Sequence, residues 1–155
     1  MQGLRQFRAL PGSERRLLIL LMVLQPAISV ALRLRGYRRT QHWLERRSQH
    51  LTPHAASARE LAAAERVATL AGIAGRRGPV ATTCLRQSLA VLWVLRRRGL
   101  QPDIKFGVDR IGASPDMHAW VELEGVPLAQ PRMRHAAFQP VTSASTASTT
   151  SSSTS

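Results

Sequence analysis

The stretch Thr82-Thr83-Cys84-Leu85-Arg86-Gln87-Ser88-Leu89, continued through Leu92, Trp93 and Leu95 to Arg96-Arg97-Arg98-Gly99, decides the fold. Leu85, Leu89, Leu92 and Trp93 recur at i, i+4, i+7 and i+8, which is one apolar face of a helix. Thr82 or Thr83 supplies an N-cap, the three arginines complement the negative end of the helix dipole, and Gly99 closes the helix. Cys84 then falls in the first turn. A thiol placed there meets the orphan N–H groups and positive end of the dipole, which favour a thiolate and can hold an oxyanion.

Beyond Pro102 the period changes from 3.6 to 2. Ile104, Phe106 and Val108 alternate with Lys105, Gly107 and Asp109, as in a strand. Met117 to Leu123 alternates again and puts Ala119, Val121 and Leu123 on one face, with His118, Trp120 and Glu122 on the other. Glu124-Gly125 is a turn, and Val126 to Gln130 reads as a short return strand that begins at an edge, because Pro127 cannot donate to a ladder. Before the cysteine the chain is helical. Pro11-Gly12-Ser13-Glu14 reads as a turn with Ser13 as N-cap, and a first helix runs to about Gln25. Pro26 then separates it from Ala27 to Leu34, which ends near Gly36, and Tyr37 to Arg47 continues the helical pattern. Ala55 to Ala74 is an alanine-rich amphipathic helix stopped by Gly78-Pro79. The fold class is therefore α+β: N-terminal helices over a small antiparallel sheet, with the cysteine helix packed against it.

At 155 residues and a formal charge of +13, the chain is the size of one domain and favours acidic partners, with arginines spread from Arg5 to Arg134. Its single cysteine excludes an intramolecular disulfide and a multi-cysteine metal site, and suits a reducing, cytoplasmic compartment. His42, His50 and His54 lie in a polar interhelix region and are not read as metal ligands. Leu17 to Leu24 is apolar, but a spanning helix needs about 20 such residues. Arginines close in on both sides of it, so no stable membrane insertion is expected. The charge alone would also suit a non-catalytic binding module for nucleic acid or an acidic membrane. The arginines form no single stripe and stacking aromatics are few, so no nucleic-acid partner is expected.

A helix-start cysteine followed by a strand histidine is an arrangement for nucleophilic catalysis, with His118 taking the Cys84 proton and returning it to a leaving amine. In order and spacing, several motifs resemble the leader peptidases of lasso-peptide biosynthesis, which are transglutaminase-like or papain-like cysteine proteases. They are Cys84-Leu85 with Ser88-Leu89, the helix ending Leu95-Arg96-Arg97-Arg98-Gly99, Phe106-Gly107-Val108, and His118-Ala119-Trp120-Val121-Glu122 with Gly125 and Pro127. The resemblance implies an N-terminal helical region over 1–75 and a protease core over 76–140, while the Ser/Thr/Ala composition of 141–155 reads as a disordered tail. It implies Cys84 as nucleophile, His118 as base, no cofactor, a precursor peptide as substrate and an ATP-dependent lasso cyclase as the next enzyme. A transglutaminase or amidase on the same pair is the nearer alternative.

The third catalytic residue would stand twelve positions after the histidine, where this chain has Gln130 in place of the family's more usual carboxylate. An amide carbonyl can still accept the imidazole N–H and fix its tautomer. For Gln130 to share the face of His118, the hairpin needs a three-residue connection, Glu124 to Val126, pairing 123 with 127. Gln87 stands where the resemblance leads one to expect arginine. Residues 1–74 lack the alternating strands of the recognition module that some members carry, so a separate leader-recognition protein is expected as partner.

Overall fold

The computed structural model describes residues 10–48, 52, 54–78, 83–109, 116–129 and 139–140. In chain order the elements are α1 (Gly12–Ser48), α2 (Ala58–Arg77), α3 (Cys84–Arg96), β1 (Asp103–Asp109), β2 (Asp116–Leu123), β3 (Val126–Pro127) and β4 (Gln139–Pro140). The strands form one antiparallel sheet in the order β3-β2-β1-β4. Three helices over this sheet make the α+β architecture that the change of period implies.

The N-terminal helices differ from the sequence expectation in an instructive way. Pro26 does not end a helix; α1 runs through it, and the break falls at Gly36, with φ 71° and ψ 175°. A proline removes one i to i−4 bond, and packing on both sides of residue 26 outweighs that loss. Leu21 and Ile28 are in the core, and the buried Gln25 donates from Nε2 to the Ala71 carbonyl of α2 at 2.9 Å. Gly36, by contrast, holds a conformation that is essentially reserved for glycine. It turns the chain so that Leu44 reaches the same core as Leu21 and Ile28. The helix also starts earlier than a Ser13 cap would allow: Arg15 N–H bonds the Pro11 carbonyl at 3.0 Å, and Ser13 lies inside the first turn.

α2 begins at Ala58, three residues later than its alanine content suggests, because Ser57 and Glu60 form a capping box. Its buried face is mostly small residues, Ala64, Ala68, Ala71, Gly72, Ala74 and Gly75 beside Val67 and Leu70, which lets α1 and α3 approach its backbone closely. Gly78 ends it by donating to Ala74 at 2.7 Å. One apolar core joins all layers: Leu21 and Leu44 from α1, Leu70 from α2, Leu89 and Leu95 from α3, Val121 and Leu123 from β2. α3 packs against both other helices and against β2, and Ser88 in its first half bonds the Ala119 carbonyl of β2.

Candidate active site

Cys84 is the first residue of α3, and Thr83 occupies the N-cap position with extended dihedrals. The expected side-chain cap is not made, so no hydroxyl from residue 83 competes for the helix start. The first intrahelical bond, Gln87 N–H to the Thr83 carbonyl, is 3.1 Å. At the other end, Leu100 donates to Leu95 and Gly99 to Arg96, with Gly99 at φ 81°. This is a Schellman closure, as the glycine signal predicts.

His118 sits on β2, opposite Gly107 of β1. It and Cys84 line one cavity of about 60 Å³, together with Gln87 and Ser88 from α3 and Trp120 from β2. That is room for a few water-sized groups, the scale of a scissile amide and an attacking water. The cysteine and histidine singled out from the sequence are thus brought to one place.

Three further residues adjoin the pair; each stands in a motif that carries the family resemblance, but none was given a role of its own from the sequence. Ser88, one turn after Cys84, is buried and donates from Oγ to the Ala119 carbonyl at 3.1 Å. This bond ties the cysteine helix to the residue next to His118. Gly107 leaves no side chain on the strand position facing the imidazole, where directly opposed Cβ atoms would lie about 5 Å apart. Trp120 stacks on His118 with centroids 6.1 Å apart and 20° between planes, and its Nε1 donates to Glu122 Oε1 at 2.9 Å. Glu122 is therefore engaged with the tryptophan, which agrees with its distance along the strand from His118.

Gln130 lies outside the described residues, but the turn before it is clear. Leu123 pairs with Val126 and Glu122 with Pro127, around a two-residue connection in which Glu124 and Gly125 have φ 52° and 75°. This is the positive-φ geometry of a tight hairpin, and it corrects the three-residue loop expected from the sequence. Two anchors explain it. The Glu124 carboxylate accepts the Ala56 N–H at 3.0 Å, and the Glu65 carboxylate accepts the Ala129 N–H at 2.8 Å. Leu128 N–H still bonds the Val121 carbonyl, but Ala129 has φ 51° and leaves the strand conformation before residue 130. Strand parity therefore gives no support to Gln130 as partner of His118.

A second, more open groove of about 360 Å³ adjoins the cavity, sharing Gln87 and Ala68 with it and bounded by Glu65, Gly72 and Arg76. Among the described residues no group of histidine, cysteine and carboxylate side chains is placed to hold a metal ion.

A sequence profile of the Transglutaminase-like superfamily matches residues 25–143. The chain belongs to this superfamily. The matched span contains the cysteine helix, both long strands, the whole of α2 and the part of α1 from Gln25 onward. No curated protein and no solved structure gave a match. Within a transglutaminase-like domain, Cys84 at a helix start and His118 on the adjoining strand are suited to acyl transfer through a thioester.

Proposed function

We propose that this transglutaminase-like chain is a leader peptidase that cuts a lasso-peptide precursor. The observation that carries the reading is the cavity shared by Cys84 at the start of α3 and His118 on β2. The motif order and spacing around them favour this substrate class. In the proposed cycle His118 takes the Cys84 proton, and Sγ forms a bond to the scissile carbonyl carbon. The resulting oxyanion faces the first turn of α3. The C–N bond then breaks as His118 protonates the departing amine, which becomes the N-terminus of the core peptide. The leader remains as a thioester until water, deprotonated by His118, attacks it; a free carboxylate leaves and the thiol is restored. The freed α-amine is the group that an ATP-dependent cyclase needs for an isopeptide ring.

The precursor enters along the groove between α2 and α3 in this reading, and a separate leader-recognition protein raises its local concentration there. Gln130 is kept as the proposed acceptor for the imidazole N–H, with a Gln130→Ala variant as its test. An unchanged pH–rate profile removes it and leaves a dyad. The main experiment incubates the full chain with precursor, with and without the recognition protein, and follows cleavage by mass spectrometry. Cleavage at one bond that disappears in Cys84→Ala and His118→Ala is expected, with the partner improving apparent affinity. Full-rate processing of dilute precursor by the chain alone overturns the partnership. A product that incorporates an added primary amine in preference to water identifies a transglutaminase on the same pair.

A further inference from the structure

Five of the large apolar side chains left exposed in the described residues lie on α1: Ile19 (50% exposed), Leu20 (42%), Val23 (65%), Val30 (56%) and Leu34 (78%). With Ala27 they fall within an arc of about 100° on the helix, at the 3.6-residue period. The row from Ile19 to Leu34 extends along the axis for about 22 Å at the rise of an α-helix.

Its charges are ordered. Exposed Arg16 lies in line with the row one turn before it, and exposed Arg33 and Arg35 project to opposite sides at its far end. Arg38 and Arg39 follow beyond the Gly36 kink, and no acidic residue occurs from Arg15 to Leu44. An apolar strip edged by arginines and free of acids matches an acyl layer beneath anionic headgroups, into which arginines can reach while their stems stay with the apolar layer.

By length and composition α1 is also a candidate to cross a bilayer. Its other face is committed to protein: Leu18, Leu21 and Ile28 are in the core, Gln25 bonds the α2 backbone, and Glu14 pairs with Arg66 of α2 at 2.7 Å. The strip therefore fits a helix lying on a surface. Its 3–4 spacing would also suit a partner helix. A second copy is disfavoured, because a parallel pairing aligns each arginine cluster with itself and an antiparallel one brings Arg16 towards Arg33 and Arg35.

We propose that the outer face of α1 docks this protein on an anionic lipid surface. α2 and α3 pack on the inner side of α1, so the Cys84 cavity stays on the aqueous side of the bound molecule.

The test is cosedimentation of the full chain with sucrose-loaded vesicles of phosphatidylcholine mixed with phosphatidylglycerol, and of phosphatidylcholine alone. Val23→Gln/Leu34→Gln and Arg33→Glu/Arg35→Glu serve as variants, with circular dichroism melts as fold control. Binding is expected on the anionic vesicles, weaker in high salt and on the neutral ones, and reduced about tenfold or more in each double variant, through the apolar area removed in the first and the charge reversed in the second. Protein released by alkaline carbonate supports the surface geometry, whereas protein that resists it spans the bilayer and overturns the proposal. Failure to bind anionic vesicles also overturns it. So does a wild-type dimer that Val23→Gln/Leu34→Gln converts to monomer without any change in vesicle binding, since the strip is then a protein interface.

Discussion

Replacing Ser88 by alanine tests whether the proposed catalytic pair, Cys84 and His118, is aligned by a single buried bond. Ser88 Oγ donates to the Ala119 carbonyl at 3.1 Å and is buried, so its loss leaves that acceptor without its hydroxyl partner. The cost of such a change is about 1–2 kcal/mol, between the net value of a neutral hydrogen bond and the penalty for an unsatisfied buried group. For a domain of this size that lowers Tm by about 2–8 °C. The functional effect should be larger than the thermal one implies. The bond joins the turn after Cys84 to the residue beside His118, and a displacement of about 1 Å at reacting groups can cost about a hundredfold in rate. We expect kcat to fall about 10- to 100-fold with KM little changed. Iodoacetamide alkylation of Cys84 needs no substrate, and at neutral pH its rate should move towards that of His118→Ala. Leu92→Val supplies a control, since Leu92 is buried and does not line the cavity, and it should lose about 1 kcal/mol. If Ser88→Ala melts like that control and also alkylates and turns over like the wild type, the bond stabilises the fold without positioning the pair.

Gly107→Val puts a branched side chain beside His118 on the adjoining strand, where β-propensity alone would favour valine; retained thermal stability with slower Cys84 alkylation and turnover is expected. Gly72→Ala places a methyl 3.4 Å from Gln87 Nε2 and Arg76 Nη1 at the edge of the open groove. Helix propensity should raise stability by up to about 1 kcal/mol, while KM for a peptide rises and alkylation by a small reagent stays unchanged. His54 is held above its ordinary pKa of 6.5, chiefly by its hydrogen bond to Glu60, whose own pKa is pushed down to about 2 by Ser57 and His54. The His54 contribution to stability is therefore complete below pH 6.5 and is lost as pH rises through the raised value. The Glu60 contribution is complete above pH 4.5 and is lost towards pH 2. Melting curves should show a small fall in Tm above pH 6.5 that His54→Ala abolishes.

The parts of the fold that depend on local period were legible: the Cys84 helix, its glycine closure, the alternation in β1 and β2, and the order that brings Cys84 and His118 together. The parts settled by distant contacts were not. Pro26 reads as a break because local rules weigh only its missing N–H, whereas Gln25 bonded to Ala71 holds the helix on course. The hairpin loop was misjudged because a three-residue connection was required only to bring Gln130 to the face of His118, whereas the turn is set at Glu124-Gly125, where the Glu124 carboxylate is drawn to Ala56, far away in sequence. The capping box of Ser57-Ala58-Arg59-Glu60 was visible as a pattern and would have moved the start of α2 to its true place. Ser88 shows the remaining difficulty. A serine inside a helix has no local signature, and its role appears only when a carbonyl from another element is placed above it.

The same contacts account for the character of the molecular surface. The glutamates of the chain are Glu14, Glu45, Glu60, Glu65, Glu122 and Glu124, and each is tied to a particular group. Glu14 holds Arg66, Glu45 holds Arg96, Glu60 holds His54, Glu65 and Glu124 accept backbone N–H groups, and Glu122 holds Trp120. The nine carboxylates are far outnumbered by the basic residues, which leaves a formal charge of +13, and arginines such as Arg16, Arg33 and Arg35 are exposed. An outer layer of this kind attracts anionic groups over a range set by the Debye length, about 8 Å in physiological salt, and it does so without sequence specificity. Selectivity must then come from shape and apolar contact. In the proposed reading the groove beside Cys84 supplies these for a peptide, and the strip on α1 supplies them for the lipid surface on which we propose it docks.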